Sequence, residues 1–218
     1  MIGLTILVPV FLKSSSSLEC PLPECRDFDS GGHHVVEWSF GQPWLAQAEE
    51  RFQPGRVRIL AEGTILCLES VFEDAWVSRE SYPLNHRAFL ECDVLEIFLQ
   101  REGEDYYHEL HVTPSNSLLQ IRLKSDDIAS NKSGALVWES LIDSKTQMTD
   151  SGWRVIARVR LDMLSLNPLG VWRVSFGRYD YRPNGHSPVI SSTSLHTHCG
   201  FHRIDEWRAL DVGSLQSS

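Results

Sequence analysis

Hydrophobic and polar positions alternate with a period of two along most of this chain, and the clearest case is Asp93 to Pro114, DVLEIFLQREGEDYYHELHVTP. Val94, Leu95, Ile97, Phe98 and Leu99 form one apolar run, and a charged, glycine-containing turn follows it. From Tyr106 to Val112 the chain alternates: His108, Leu110 and Val112 point one way, and Tyr107, Glu109 and His111 the other. A strand buries its apolar face and leaves the other free. A phenol, a carboxylate and an imidazole in a row on that free face predict a polar surface built to hold something.

The same reading predicts strands over Arg56–Leu60 and Thr64–Phe72. In Leu118–Leu123, Leu119, Ile121 and Leu123 take the apolar side and Gln120 and Arg122 the polar side. Trp153–Leu161 sets Trp153, Val155, Ala157 and Val159 against Arg154, Arg158 and Arg160. Val171–Phe176 sets Trp172, Val174 and Phe176 against Arg173 and Ser175. Helical character is confined to Pro43–Arg51 and Asp162–Leu166, and polar Lys124–Ser133 reads as a surface loop. Many strands at hairpin spacing with one or two short helices predict an all-β fold, a two-sheet antiparallel β-sandwich or jelly roll. Its core should hold Val94 or Leu95, Ile97, Leu110, Ile121, Val155, Trp172 and Phe176.

Composition narrows the function. The 218 residues are 42% hydrophobic and fit one domain, 37–212, between an N-terminal segment 1–36 and a tail 213–218. A net charge of -9 argues against a general nucleic-acid binder, which needs a basic face. Five cysteines are irregularly spaced: Cys67 and Cys92 read as buried thiols, and Cys20 and Cys25 pair only in an oxidising compartment. Met1 to Leu12 is apolar, too short to span a bilayer, and has no basic residue before Lys13. It reads as a first strand or a ragged start rather than a cleaved signal.

The order of signals resembles the family 9-like carbohydrate-binding modules, relatives of the DOMON sandwiches. The resemblance rests on Asp93-Val94-Leu95-Glu96-Ile97-Phe98, Tyr106-Tyr107-His108-Glu109, Gly152-Trp153-Arg154-Val155, Trp172-Arg173-Val174-Ser175-Phe176-Gly177-Arg178 and Phe201-His202. It implies a sandwich, secretion to the cell surface or periplasm, a terminal sugar clamped between aromatic rings, and structural calcium in several members. On that pattern Trp76 is the first platform by its place before the aspartate strand, and Tyr179 or Tyr181 stands in for the second.

A pyranose has apolar faces and a rim of hydroxyls, so rings and charged hydrogen-bonding groups suit it. The candidate carbohydrate contacts are Trp76, Glu96, Tyr107, Glu109, His111, Arg122, Arg173, Arg178, Tyr179 and Tyr181. The alternative is that Glu96, Glu109, Arg122 and Arg173 form an internal ion-pair network. His196-Thr197-His198-Cys199 with His202 has zinc-ligand types but no Cys-x-x-Cys partner, so no zinc site is expected there. Glu102-Gly103-Glu104-Asp105 reads as a solvated hairpin tip rather than a calcium loop. No catalytic motif stands out. Glu96 and Glu109 leave a paired-carboxylate glycosidase as an alternative to a binding module. A haem-binding relative would need axial ligands from His108, His111 or a methionine.

Overall fold

The computed structural model describes residues 28–29, 34–127, 134–183 and 187–216. The N-terminal strand or signal, the Cys20–Cys25 pair and part of the Lys124–Ser133 loop lie outside them.

Two antiparallel sheets pack face to face. The smaller has the order β1-β2-β3-β9-β8, from β1 (Val36–Ser39), β2 (Gly55–Glu62), β3 (Ile65–Glu73), β8 (Ile142–Thr149) and β9 (Gly152–Arg160). The larger runs β11-β10-β4-β5-β6-β7, from β4 (Val94–Arg101), β5 (Tyr106–Val112), β6 (Leu118–Lys124), β7 (Ala135–Leu136), β10 (Val171–Asp180) and β11 (Val189–Ser192). β12 (Arg208–Asp211) pairs with the first half of β10, on the edge that β11 covers over the second half.

Alternation places the core. Leu95, Ile97 and Leu99 of β4, Leu110 and Val112 of β5, and Trp172, Val174 and Phe176 of β10 meet Ile59, Leu68, Trp153, Val155, Ala157 and Val159 of the smaller sheet. Phe72 packs between Phe40 and Trp153, with ring centroids 5.2 and 4.7 Å apart. Leu215, which the sequence assigns to the tail, is buried in this core, and Gln216 caps the Gly63 turn.

Of the pair Val94 or Leu95, Leu95 takes the core, and Val94 lies in a separate cluster with Ala88 and Cys92. Three expectations need correction. Ile121 is buried, but on the other face of the larger sheet, because it pairs with Glu109 rather than with a core-facing residue. Gln120 takes the inner side, where its amide donates to Glu139 O and accepts from Leu141 N (3.0 and 2.8 Å) and so replaces a strand partner. Pro43–Arg51 forms turns, not a helix: the Gln42 carboxamide accepts from Glu49 N at 2.8 Å and closes the loop on itself. The second expected helix is the four-residue α1 (Leu161–Leu164).

Candidate functional site

The outer face of the larger sheet carries the chemistry. β4 pairs with β5 so that Glu96 stands opposite His111 and Phe98 opposite Glu109. On the other side of β4, Gly177 of β10 stands beside Glu96. A Cβ at Gly177 would lie 2.7 Å from the Phe201 ring and 3.2 Å from a Glu96 oxygen, so glycine makes room for both.

Glu96, Glu109 and His111 form a buried cluster. His111 Nε2 is 2.5 Å from Glu109 Oε1 and 3.2 Å from Glu96 Oε1. Burial, with Glu109 close by, pushes Glu96 up to about 8 despite the opposing His111 charge. Glu109 is also desolvated, but the His111 hydrogen bond and charge hold it below the usual carboxylate range. His111 is raised because the two carboxylates outweigh its desolvation. A neutral Glu96 beside a His111–Glu109 ion pair leaves the cluster without net charge, the form a low-dielectric interior tolerates.

Aromatic side chains frame this cluster. Phe89, from the turn Ala88–Leu90, sets its ring edge-on to His111 at 5.4 Å and lies 5.9 Å from Tyr179. Tyr181 Oη donates to Phe89 O at 2.9 Å and holds that turn down. Phe201, Trp207, Phe98 and Tyr107 pack together beyond it. His202 closes the rim: Tyr107 Oη lies 2.8 Å from its Nδ1, and its Nε2 is 3.8 Å from Glu109 Oε2. Its side chain is 42% exposed, so the ring meets both the buried cluster and solvent.

The loop bearing Phe201 and His202 is tied by one carboxylate. Glu206 accepts from Arg203, Thr197 Oγ1 and the Thr197 amide, and it contacts His196 Nδ1 at 3.0 Å. These bonds hold Glu206 far below the ordinary carboxylate range, with Arg203 the main cause. His196 is thus engaged in fixing the loop.

Beside His202 an open cavity of about 570 Å³ lies over the β4–β5 turn. Gln100 and Arg173 line it on the sheet side, and His202 on the loop side. Glu102, Glu104, Asp105, Asp126 and Asp205 make it acidic. Arg173 is held by Glu102 at 3.2 Å. Gly103, at φ +88, allows the tight hairpin tip that brings Glu102 and Glu104 to this edge.

The structure brings together Glu96, Tyr107, Glu109, His111 and Tyr179, and it puts Arg173 at the adjoining cavity. Arg122 is not with them: it faces the other way from Ile121, against the Tyr106 ring at 4.2 Å. Arg178 faces inward and is 1% exposed, bonded to Gln53 O, Glu73 O and Asp74 where the two sheets meet. Tyr181 serves Phe89. Trp76 is an exposed ring on the loop after β3, two residues before Ser78, whose amide binds Asp93. Sequence reasoning missed Gln100, which alternation from Glu96 and Phe98 would have placed on this face, and it used His202 only as a signature.

Among the described residues, one aspartate cluster bears on the calcium that the resemblance implies, and it is a poor donor set. Asp74, Asp93 and Asp180 converge within 4.8 Å. However, Arg178 and Arg182 already bridge Asp74 and Asp180, and both Asp93 oxygens accept backbone amides, from Ser78 and Tyr181. Too few oxygens remain for the six to eight that calcium takes.

No protein-family model matches the chain, and neither does any curated protein sequence. Among solved structures, a proposed carbohydrate-binding protein from Bacteroides uniformis superposes with a TM-score of 0.64 at 14% identity, over 83% of this chain and 87% of that one. A family 9 carbohydrate-binding module from Caldicellulosiruptor kristjanssonii, in complex with cellotriose, gives 0.47 at 14% identity over 68% of each chain. Its glucose complex gives 0.44 at 14% identity, over 68% of this chain and 70% of that one. The Bacteroides likeness is one of fold: this chain is a two-sheet β-sandwich of the same architecture.

Proposed function

We propose that this protein binds carbohydrate without transforming it, in the open cavity beside His202. The observation that carries the reading is a solvent-facing imidazole, fixed by Tyr107 and Phe98, at the edge of an open cavity of monosaccharide to disaccharide size that carries acidic side chains. The His202 ring offers a flat face to a pyranose, and Gln100, Arg173 and the surrounding carboxylates offer hydrogen-bond partners to its hydroxyls. Five carboxylates against one guanidinium favour a neutral or amino sugar and disfavour a uronic acid. The shared fold with a proposed carbohydrate-binding protein supports the same reading. Glu109 acts beneath the site, through His202, rather than on the sugar. Tyr179 contributes to the aromatic frame, and Trp76, whose loop is tied to Asp93 at the opposite end of β4 from the cavity, takes no part in this site.

A glycosidase that uses Glu96 and Glu109 is disfavoured by the position of His111. Its Nε2 occupies the gap between the two carboxylates, where a glycosidic bond would have to lie. Titration of neutral, amino and acidic sugars by calorimetry tests the proposal. Replacement of His202 or Arg173 by Ala should weaken the bound sugar, and undiminished binding in both variants contradicts this site.

A further inference from the structure

We propose that Glu96, Glu109 and His111 form a site for one divalent first-row transition metal, of the zinc or cobalt type, with His202 at the rim as the fourth ligand once its ring turns inward. Three ligand atoms from two adjacent strands lie within 4.8 Å of one another. All three residues are at least nine-tenths buried. They converge because the β4–β5 register puts Glu96 directly opposite His111, while Glu109 follows two residues earlier on the same face of β5. Ligands about 2.0–2.2 Å from a tetrahedral zinc ion stand about 3.3 Å apart. The His111 Nε2–Glu96 Oε1 separation of 3.2 Å has that value already, and the 2.5 Å contact to Glu109 Oε1 needs to open by about 0.8 Å. The ion would displace two protons, the one on His111 Nε2 and the one that Glu96 carries in the metal-free cluster, and both leave to solvent.

His202 supplies the second line of evidence. Its Nδ1 is engaged by Tyr107 Oη, which leaves Nε2 as the nitrogen that faces Glu109 Oε2 at 3.8 Å. A ligating histidine is ordinarily held in this way, through the ring nitrogen that does not bind metal. Two imidazoles and two carboxylates suit zinc, cobalt or manganese and not calcium, which takes oxygen ligands. Two carboxylates also neutralise a divalent ion completely. The frame of Phe89, Phe98 and Tyr107 keeps water from most of the cluster, and the exposed His202 edge gives an entry path. The inference does not depend on carbohydrate binding, because it concerns the buried cluster and needs no sugar.

The test is metal titration of the full chain after removal of metal with EDTA, with no sugar present. Zinc uptake is followed by calorimetry and cobalt(II) by its visible absorption. One equivalent should bind. His111→Ala should abolish the site. His202→Ala and Tyr107→Phe should keep the wild-type far-UV circular dichroism; Tyr107→Phe, which disturbs a ligand's support, should lose affinity by about 10- to 100-fold, and His202→Ala, which removes the ligand, by at least as much. These two variants keep the test decisive if His111→Ala does not fold. Uptake of less than one equivalent by the wild type overturns the proposal. So does uptake that is the same in folded His202→Ala and Tyr107→Phe, since the metal would then lie elsewhere.

Discussion

Tyr107 Oη and His202 Nδ1, 95 residues apart in sequence, meet at 2.8 Å and join the central strand of the larger sheet to the C-terminal loop. The contact fixes an imidazole between a buried ionic cluster and an open cavity. Tyr107→Phe removes only the hydroxyl. It should cost about 0.5–1.5 kcal/mol of stability by denaturant unfolding and should weaken sugar binding as His202 loosens. An unchanged sugar affinity in this variant would mean that the His202 orientation does not matter to the site.

The Glu109–His111 pair should behave as a buried ion pair. Glu109→Ala strands the His111 charge beside a neutral Glu96, so a loss of about 3–5 kcal/mol is expected in urea unfolding. A loss below about 1 kcal/mol would show the face to be open to water.

The same cluster sets a pH dependence in metal-free protein. Folded Glu96 keeps its proton up to about 8, while the unfolded chain releases it near 4.5, so folding takes up a proton in between and stability falls as pH rises. His111 acts in the same direction: its contribution is complete below 6.5 and is lost as pH rises through its raised folded value. His108, lowered to about 4 chiefly by burial, opposes this trend only below 6.5. Unfolding free energies at pH 6.5 and 8 should therefore decrease, by up to about 1.4 kcal/mol per pH unit for each proton involved. Glu96→Gln should reduce the slope and leave the share of His111 and of Asp93, which burial raises to about 7, and a slope that rises in wild type contradicts the assignment.

Two packing variants test the frame. Trp172 is 1% exposed and donates to Pro168 O at 2.9 Å, so Trp172→Ala should cost about 3–5 kcal/mol through an unfilled cavity. Gly177→Ala forces a methyl against Phe201 and Glu96 and should cost about 1–3 kcal/mol in a thermal or urea melt. A neutral Gly177→Ala would show that Phe201 can move aside freely.

Much of this was legible in the alternation of the sequence. Leu95, Ile97, Leu110, Trp172 and Phe176 reach the core as the period of two requires, and Glu96, Glu109 and His111 share the other face. β6 misled because polarity was equated with solvent. Ile121 and Leu123 are covered from outside by the chain at Gly134, and Gln120 satisfies backbone groups on the inner side. Arg178 was misplaced for a related reason: a guanidinium on an inward position can be buried when carbonyls and carboxylates surround it. His202 could not be placed on the site from the sequence, since its position depends on a loop folded around Glu206 and on a tyrosine about half the chain away.

The most direct test of the central claim is calorimetric titration of glucose, glucosamine, cellobiose and glucuronate into the wild type and His202→Ala. The account predicts saturable binding of a neutral or amino sugar, none of glucuronate, and a loss of about 0.5–1.5 kcal/mol in the variant, roughly 2- to 13-fold in affinity. Equal affinity in wild type and folded His202→Ala, or preference for glucuronate, contradicts it.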